Sequence, residues 1–253
     1  MILIAVVSMK GGVGKTSTTA NLAAAFAAEL GDGRVAVLDL DPQNSLHLHF
    51  GLGTGLKEGV CRQSLTDANW SEVSFPSKFG VTCMPYGEAS EPEREAFEVL
   101  LSEQPQWVWE QLTRAGFDDD HVVLIDTPPG PSVYLHQAFA CVDVAVIVLL
   151  ADAGSYATIP AMESWIDEIS AQRPSLVSVY VLNQIDSTVS LNRDVSEVLR
   201  QHLGKRLARI GIHRDEAVSE ALAFQQPVLS YDPHSQATQD VKRLAGWLME
   251  SVN

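Results

Sequence analysis

The first thirty residues constrain this chain more than any other stretch. The apolar run Ile2-Leu3-Ile4-Ala5-Val6-Val7 reads as a buried strand, and a downstream alanine-rich segment carries Leu22, Phe26 and Leu30 on one helical face. Between them lies Lys10-Gly11-Gly12-Val13-Gly14-Lys15-Thr16. Strand, glycine loop and helix in that order form the setting of a phosphate-binding loop. Glycines let backbone N–H groups turn inward, and the helix N-terminus adds partial positive charge. A strict G-x-x-x-x-G-K-T pattern asks for glycine where Met9 stands, so the segment is a K-G-G-x-G-K-T variant with a second lysine ahead of the glycines. A glycine turn that binds nothing is the bland alternative. Lys15-Thr16 and two acidic motifs downstream favour a nucleotide. Lys15 is expected to reach the β- and γ-phosphates and the Thr16 hydroxyl to ligate Mg²⁺, with Gly11, Gly12, Val13, Gly14 and Ser17 completing the cradle.

The rest of the chain alternates. Further strands are predicted over 34–40, 81–84, 121–126, 143–150 and 177–182, with a last one over 206–212. Helices are expected over 91–114 with a break at Pro105, through Ile159, Met162, Ile166 and Ile169, and through Leu191, Val195, Val198, Leu199 and His202. Two more close the chain near 214–224 and 236–251, the last with Val241, Leu244, Ala245 and Leu248 on its docking face. Residues 43–78 show no resolvable order, and Pro128-Pro129-Gly130 reads as a loop. The expected class is an α/β P-loop fold over residues 1–253, one domain with a mostly parallel twisted sheet and helices on both faces. Ligands in such sheets sit at the carboxyl ends of the strands.

Two carboxylate motifs fall at those ends. Asp39-Leu40-Asp41-Pro42-Gln43 closes one strand; Asp41 is expected to orient an attacking water and Asp39 to support the magnesium shell, against the plainer reading of a capped Asp-Pro turn. Val122-Val123-Leu124-Ile125-Asp126 closes another, where Asp126 would meet a magnesium-bound water. Asn183 follows Val181-Leu182, placing a side-chain amide at a strand end where it competes between a purine contact and a plain cap. His47 and His49 alternate without an evident third ligand, which favours packed or solvated histidines over a metal site.

Composition excludes several classes. Forty-six per cent hydrophobic residues suffice for a large buried sheet, while no apolar run reaches the length of a membrane span. Cys61, Cys83 and Cys141 lack a C-x-x-C pair, which speaks against a disulfide frame or zinc site and fits a reducing cytoplasm. They also offer no companion set for a bridging iron–sulfur cluster. A formal net charge of -15 opposes nonspecific DNA binding at long range.

Taken together, KGGVGKT, DLDPQ, VVLIDTPPG and VLNQID stand in the order of the ParA/MinD family of deviant Walker A ATPases, which the chain resembles from Met1 to its last helix. The resemblance implies ATP and Mg²⁺ as ligands, slow hydrolysis, and an ATP-dependent sandwich homodimer in which Lys10 reaches the partner's phosphates. It places Asn183 at adenine, and Ile212-His213 where partition ATPases carry Ile-Pro against the purine. LDLDPQNSLHLHFG (38–51), DTPPGPSVYLHQA (126–138) and IHRDEAVSEALAFQQPVLSYDPHSQA (212–237) resemble the branch serving bacterial cellulose biosynthesis. That branch implies partners among cellulose synthase components and small operon-encoded proteins. It also implies a cytoplasmic protein recruited peripherally to the inner membrane at the secretion complex or cell pole. A DNA-segregation ATPase and a nucleotide-binding scaffold without turnover are the competing readings.

Overall fold

The computed structural model describes residues 1–252. Its strands are β1 (Ile2–Val7), β2 (Val35–Asp39), β3 (Phe75–Pro76), β4 (Val81–Met84), β5 (Val122–Asp126), β6 (Val144–Leu150) and β7 (Val177–Asn183). They form one sheet in the order β3-β4-β2-β5-β1-β6-β7. Only the β3–β4 pair is antiparallel; every other pairing is parallel. The helices are α1 (Lys15–Leu30), α2 (Val60–Leu65), α3 (Glu91–Glu103), α4 (Trp107–Arg114), α5 (Val133–Cys141), α6 (Ala153–Gln172), α7 (Ser190–Leu203), α8 (Glu216–Ala223), α9 (Val228–Tyr231) and α10 (Gln236–Val252).

The central strands are apolar without alternation because both sheet faces are covered. Ile4 and Val6 of β1 pack with Leu22 and Phe26 of α1 and with Val241, Leu244 and Leu248 of α10. Leu3, Ala5 and Val7 face the other way, into a core with Phe97 of α3, Leu135 and Phe139 of α5, and Ile159 and Met162 of α6. Removing a leucine such as Leu244 from water contributes about 1.5–3 kcal/mol, so α10 is held by its apolar stripe against α1 and the sheet. Among the described residues no helix is long and apolar enough to cross a membrane.

Three local expectations are corrected and one helix is added. Residues 206–212 form no strand: Ala208 and Ile212 donate to β7 carbonyls, but only isolated bridges result. Pro128-Pro129-Gly130 does lie in a loop, and α5, which the sequence pattern did not show, follows it. Leu30, the last residue of α1, is 40% exposed. Leu191 and Val198 of α7 also point outward, and the buried stripe there is Ser196, Leu199 and Leu203. The expected break near Pro105 does separate α3 from α4. His47 and His49 are both packed inside.

Candidate functional site

Register brings the strand ends together. Asp126 of β5 pairs with Val6 of β1 on one side and with Asp39 of β2 on the other. The loop after β1 therefore emerges beside the Asp126 terminus, with Asp39 one strand further on. Gly12 and Gly14 hold φ values of +75° and +85°, backbone that a side chain would strain. A Cβ on Gly14 would also lie 2.5 Å from Asn183 Nδ2. Gly14 is the N-cap of α1, so the first amide groups of that helix open toward the loop.

Lys15 begins α1 and is 7% exposed. Its ammonium donates to Ser8 Oγ at 3.1 Å, and the Ser8 hydroxyl donates to the Lys10 carbonyl at 2.7 Å. Burial lowers the Lys15 pKa, while the carboxylates of Asp126 and Asp41 pull it back up. Among the described residues it makes no salt bridge. A buried ammonium at a helix N-terminus, satisfied only by a hydroxyl, suits an anion arriving from outside.

Thr16 Oγ1 donates to Asp126 Oδ2 at 2.6 Å, and Thr19 Oγ1 lies 3.4 Å from the other oxygen. Burial pushes the Asp126 carboxyl up to about 7, against the opposing pull of the Thr16 hydrogen bond and of Lys15. Thr16 and Asp126 supply hard oxygen donors side by side, a set that fits Mg²⁺, which keeps several waters and takes few protein ligands.

Asp39 also holds the backbone of its own turn. It is fully buried, and its two oxygens accept from the backbone N–H groups of Asp41 at 2.9 Å and Leu46 at 3.1 Å. Burial, reinforced by the charge of Asp126, raises its pKa well above the usual carboxylate range. Asp39 thus shapes the turn that presents Asp41, with one backbone N–H on each of its oxygens. Asp41 is half-buried, accepts from Gln43 N at 3.0 Å, and acts electrostatically on Lys15.

Lys10 pairs with Asp152 of its own chain at 2.6 Å, both side chains being more than a third exposed. Asp152 also caps α6 by accepting from Ser155 N at 2.7 Å. The loop after β5 closes over this corner: Gly130 N donates to Ser8 O at 2.9 Å.

On the far side of Gly14 a cavity of about 510 Å³ is lined by Ser17, Asn183, Gln184, Ile212 and His213. Asn183 Nδ2 donates to Val13 O at 2.8 Å, fastening β7 to the loop. The structure therefore gathers Lys10 through Ser17, Asp41 and Asp126 at one strand edge, with Asn183, Ile212 and His213 in the adjoining cavity. Sequence reasoning missed Ser8, Thr19, Asp152 and Gln184. Asp152 alone had a local signal, the Asp-x-x-Ser spacing of a helix cap.

A family model described as "Cellulose biosynthesis protein BcsQ" matches residues 1–249. The chain belongs to the BcsQ family. The cellulose biosynthesis protein BcsQ of Salmonella typhimurium is 26% identical over 257 residues, covering 98% of this chain and 94% of that protein. The chromosome-partitioning ATPase Soj of Thermus thermophilus is 30% identical over 252 residues, covering 98% and 96%. The septum site-determining protein MinD of Pyrococcus horikoshii, solved with Mg-ADP, superposes with a TM-score of 0.75 at 21% identity over 98% and 95% of the two chains. BcsQ and its Soj and MinD relatives bear out the ParA/MinD-type reading of the motifs and the α/β class.

Proposed function

We propose that this BcsQ-family chain binds ATP with Mg²⁺, hydrolyses it slowly, and uses it to switch between monomer and homodimer in support of a bacterial cellulose synthase complex. The observation that carries the nucleotide reading is Lys15, buried, without a salt bridge among the described residues and set at the amino end of α1 beside the Thr16–Asp126 oxygens. Gly11, Gly12, Val13 and Gly14 would cradle phosphates with their amides while Lys15 neutralises the terminal ones. Thr16 and Asp126 would hold Mg²⁺, which supplies Lewis-acid charge neutralisation when bound. Asp41, presented by the turn that Asp39 builds, would orient the water. Ser17, Asn183, Ile212 and His213 would hold the base and sugar side.

Lys10 would serve the partner subunit. An exposed ion pair such as Lys10–Asp152 stabilises by about 1 kcal/mol or less, so it opens easily when a triphosphate competes. An ammonium delivered in trans neutralises charge that builds during transfer, and dimer closure excludes water. The test is phosphate release by the purified protein with Mg²⁺. Slow release that falls at least tenfold in Asp41→Ala, with nucleotide binding retained, supports the reading; release equal in both forms refutes Asp41's role.

The 30% identity to Soj favours a second reading, a DNA-segregation ATPase. The net charge of -15 opposes it. Cellulose-complex partners, small operon-encoded proteins and peripheral membrane recruitment belong to the first reading and rest on the family match.

A further inference from the structure

Three hollows along the outer side of α5 join into one trench. None of their lining residues belongs to the phosphate loop or to the cavity beside Gly14. The head, about 630 Å³, is lined by Leu101, Pro105, Pro131 and Val133. The middle, about 240 Å³, is bounded by Trp165 and Ile169 of α6, and the foot, about 560 Å³, by Trp109 of α4 and by Asp143. His136 lines both head and middle, and Ala140, one helical turn later, lines both middle and foot. The trench therefore follows α5 over its 9 residues, a length of about 14 Å.

Apolar surface and unanswered negative charge meet there. Trp109 is 45% exposed, although its neighbours Trp107 and Val108 are buried. Trp165 packs against His136 with 5.0 Å between ring centroids. The lining carboxylates are Glu110, Asp143 and Glu168, and among the described residues none of them makes an ion pair. Asp143 holds the Leu3 amide with Oδ2 at 2.9 Å. The lining arginine, Arg173, donates to the carbonyls of Phe139 at 2.8 Å and Cys141 at 3.4 Å. Its charge is spent on the carboxyl end of α5.

That charge balance decides what fits. A second copy of the chain would bring the same carboxylates and a net charge of -15, and anionic lipid or nucleic acid would be repelled as well. We propose that the trench docks an amphipathic helix of a partner protein, about three turns long, with apolar side chains on Trp109, Trp165 and Ile169 and Lys or Arg side chains against Glu110, Asp143 and Glu168. Trp109 is the anchor, because its ring offers both apolar area and a face for a cation. The inference does not rest on the nucleotide reading.

Fluorescence anisotropy without nucleotide tests it. The probes are two dye-labelled helical peptides of about 14 residues with identical leucine spacing, one filled with lysine and the other with glutamate. The basic peptide should bind about tenfold more tightly than the acidic one. Trp109→Ala should weaken the basic peptide about tenfold. Glu110→Lys combined with Glu168→Lys should weaken it as much and strengthen the acidic peptide. Glu29→Lys combined with Glu250→Lys changes the net charge equally at exposed positions outside the trench, and should alter binding by less than about twofold. If Trp109→Ala fails to fold, the two charge variants decide alone. Equal binding of both peptides, equal losses in the trench and control charge variants, or indifference to a folded Trp109→Ala overturns the inference. So does a protein that doubles its mass without peptide and reverts to monomer in Trp109→Ala, which would assign the trench to a second copy. The nucleotide site stands through each of these outcomes.

Discussion

At the scale of single residues, the loop is intolerant of side chains for two independent reasons. Gly14 combines φ +85° with the close approach of Asn183. Gly14→Ala should therefore cost about 1–3 kcal/mol in urea unfolding and weaken nucleotide binding at least tenfold. An alanine variant as stable and as tight as the parent would contradict the geometry. His49 gives a pH signature. Burial depresses its pKa to about 4 from 6.5. The unfolded chain takes up that proton first, so the stability present above pH 6.5 drains away as pH falls toward 4. The loss is on the order of 3 kcal/mol at most. His49→Leu should flatten that part of the denaturation midpoint against pH, and an unchanged slope would place the effect elsewhere. Residue roles were only partly legible in the sequence. Asp126 stands out because four apolar residues precede it, and the same pattern marked Asp39. What that pattern hides is hydrogen bonding: each Asp39 oxygen accepts a backbone amide, from Asp41 and from Leu46. The tie between His213 and Asp240 was invisible, since 27 residues separate them.

At the scale of elements, hydrophobic runs told most where burial is two-sided. The strands β1, β5 and β6 were read within a residue or two because their apolar runs end in turn chemistry or carboxylates. Legibility failed where tertiary contact overrides pattern. α5 is short and mostly buried, with Tyr134, Leu135, Ala138 and Phe139 inside, so it has no amphipathic rhythm to read. Residues 206–212 carry strand-like composition, yet only the Ala208 and Ile212 amides are seen to reach β7 carbonyls, and isolated bridges result. For α10 the stripe was plain, and its energetic weight is testable. Leu244 is fully buried, and Leu244→Ala should destabilise by about 2–5 kcal/mol in denaturant unfolding. A loss below about 1 kcal/mol would mean the helix is loosely docked.

At the scale of the whole molecule, charge and assembly decide between the readings. A chain with net charge -15 should not shift duplex DNA in a gel with ATP at low salt. A shift that vanishes on raising the salt would instead favour the segregation reading. The proposed switch would draw on one corner of the chain: Lys15 is buried against Ser8, Lys10 pairs with Asp152, and the loop after β5 is fastened to Ser8. For ATP to drive assembly, it must favour the dimer over the monomer. Light scattering on a sizing column, run without nucleotide, with ADP, and with a nonhydrolysable ATP analogue plus Mg²⁺, reads that difference directly. The account predicts twice the monomer mass with the analogue alone, and loss of that doubling in Lys10→Ala while analogue binding persists. A single monomer mass under all three conditions, or a Lys10→Ala variant that doubles as readily as the parent, would contradict it.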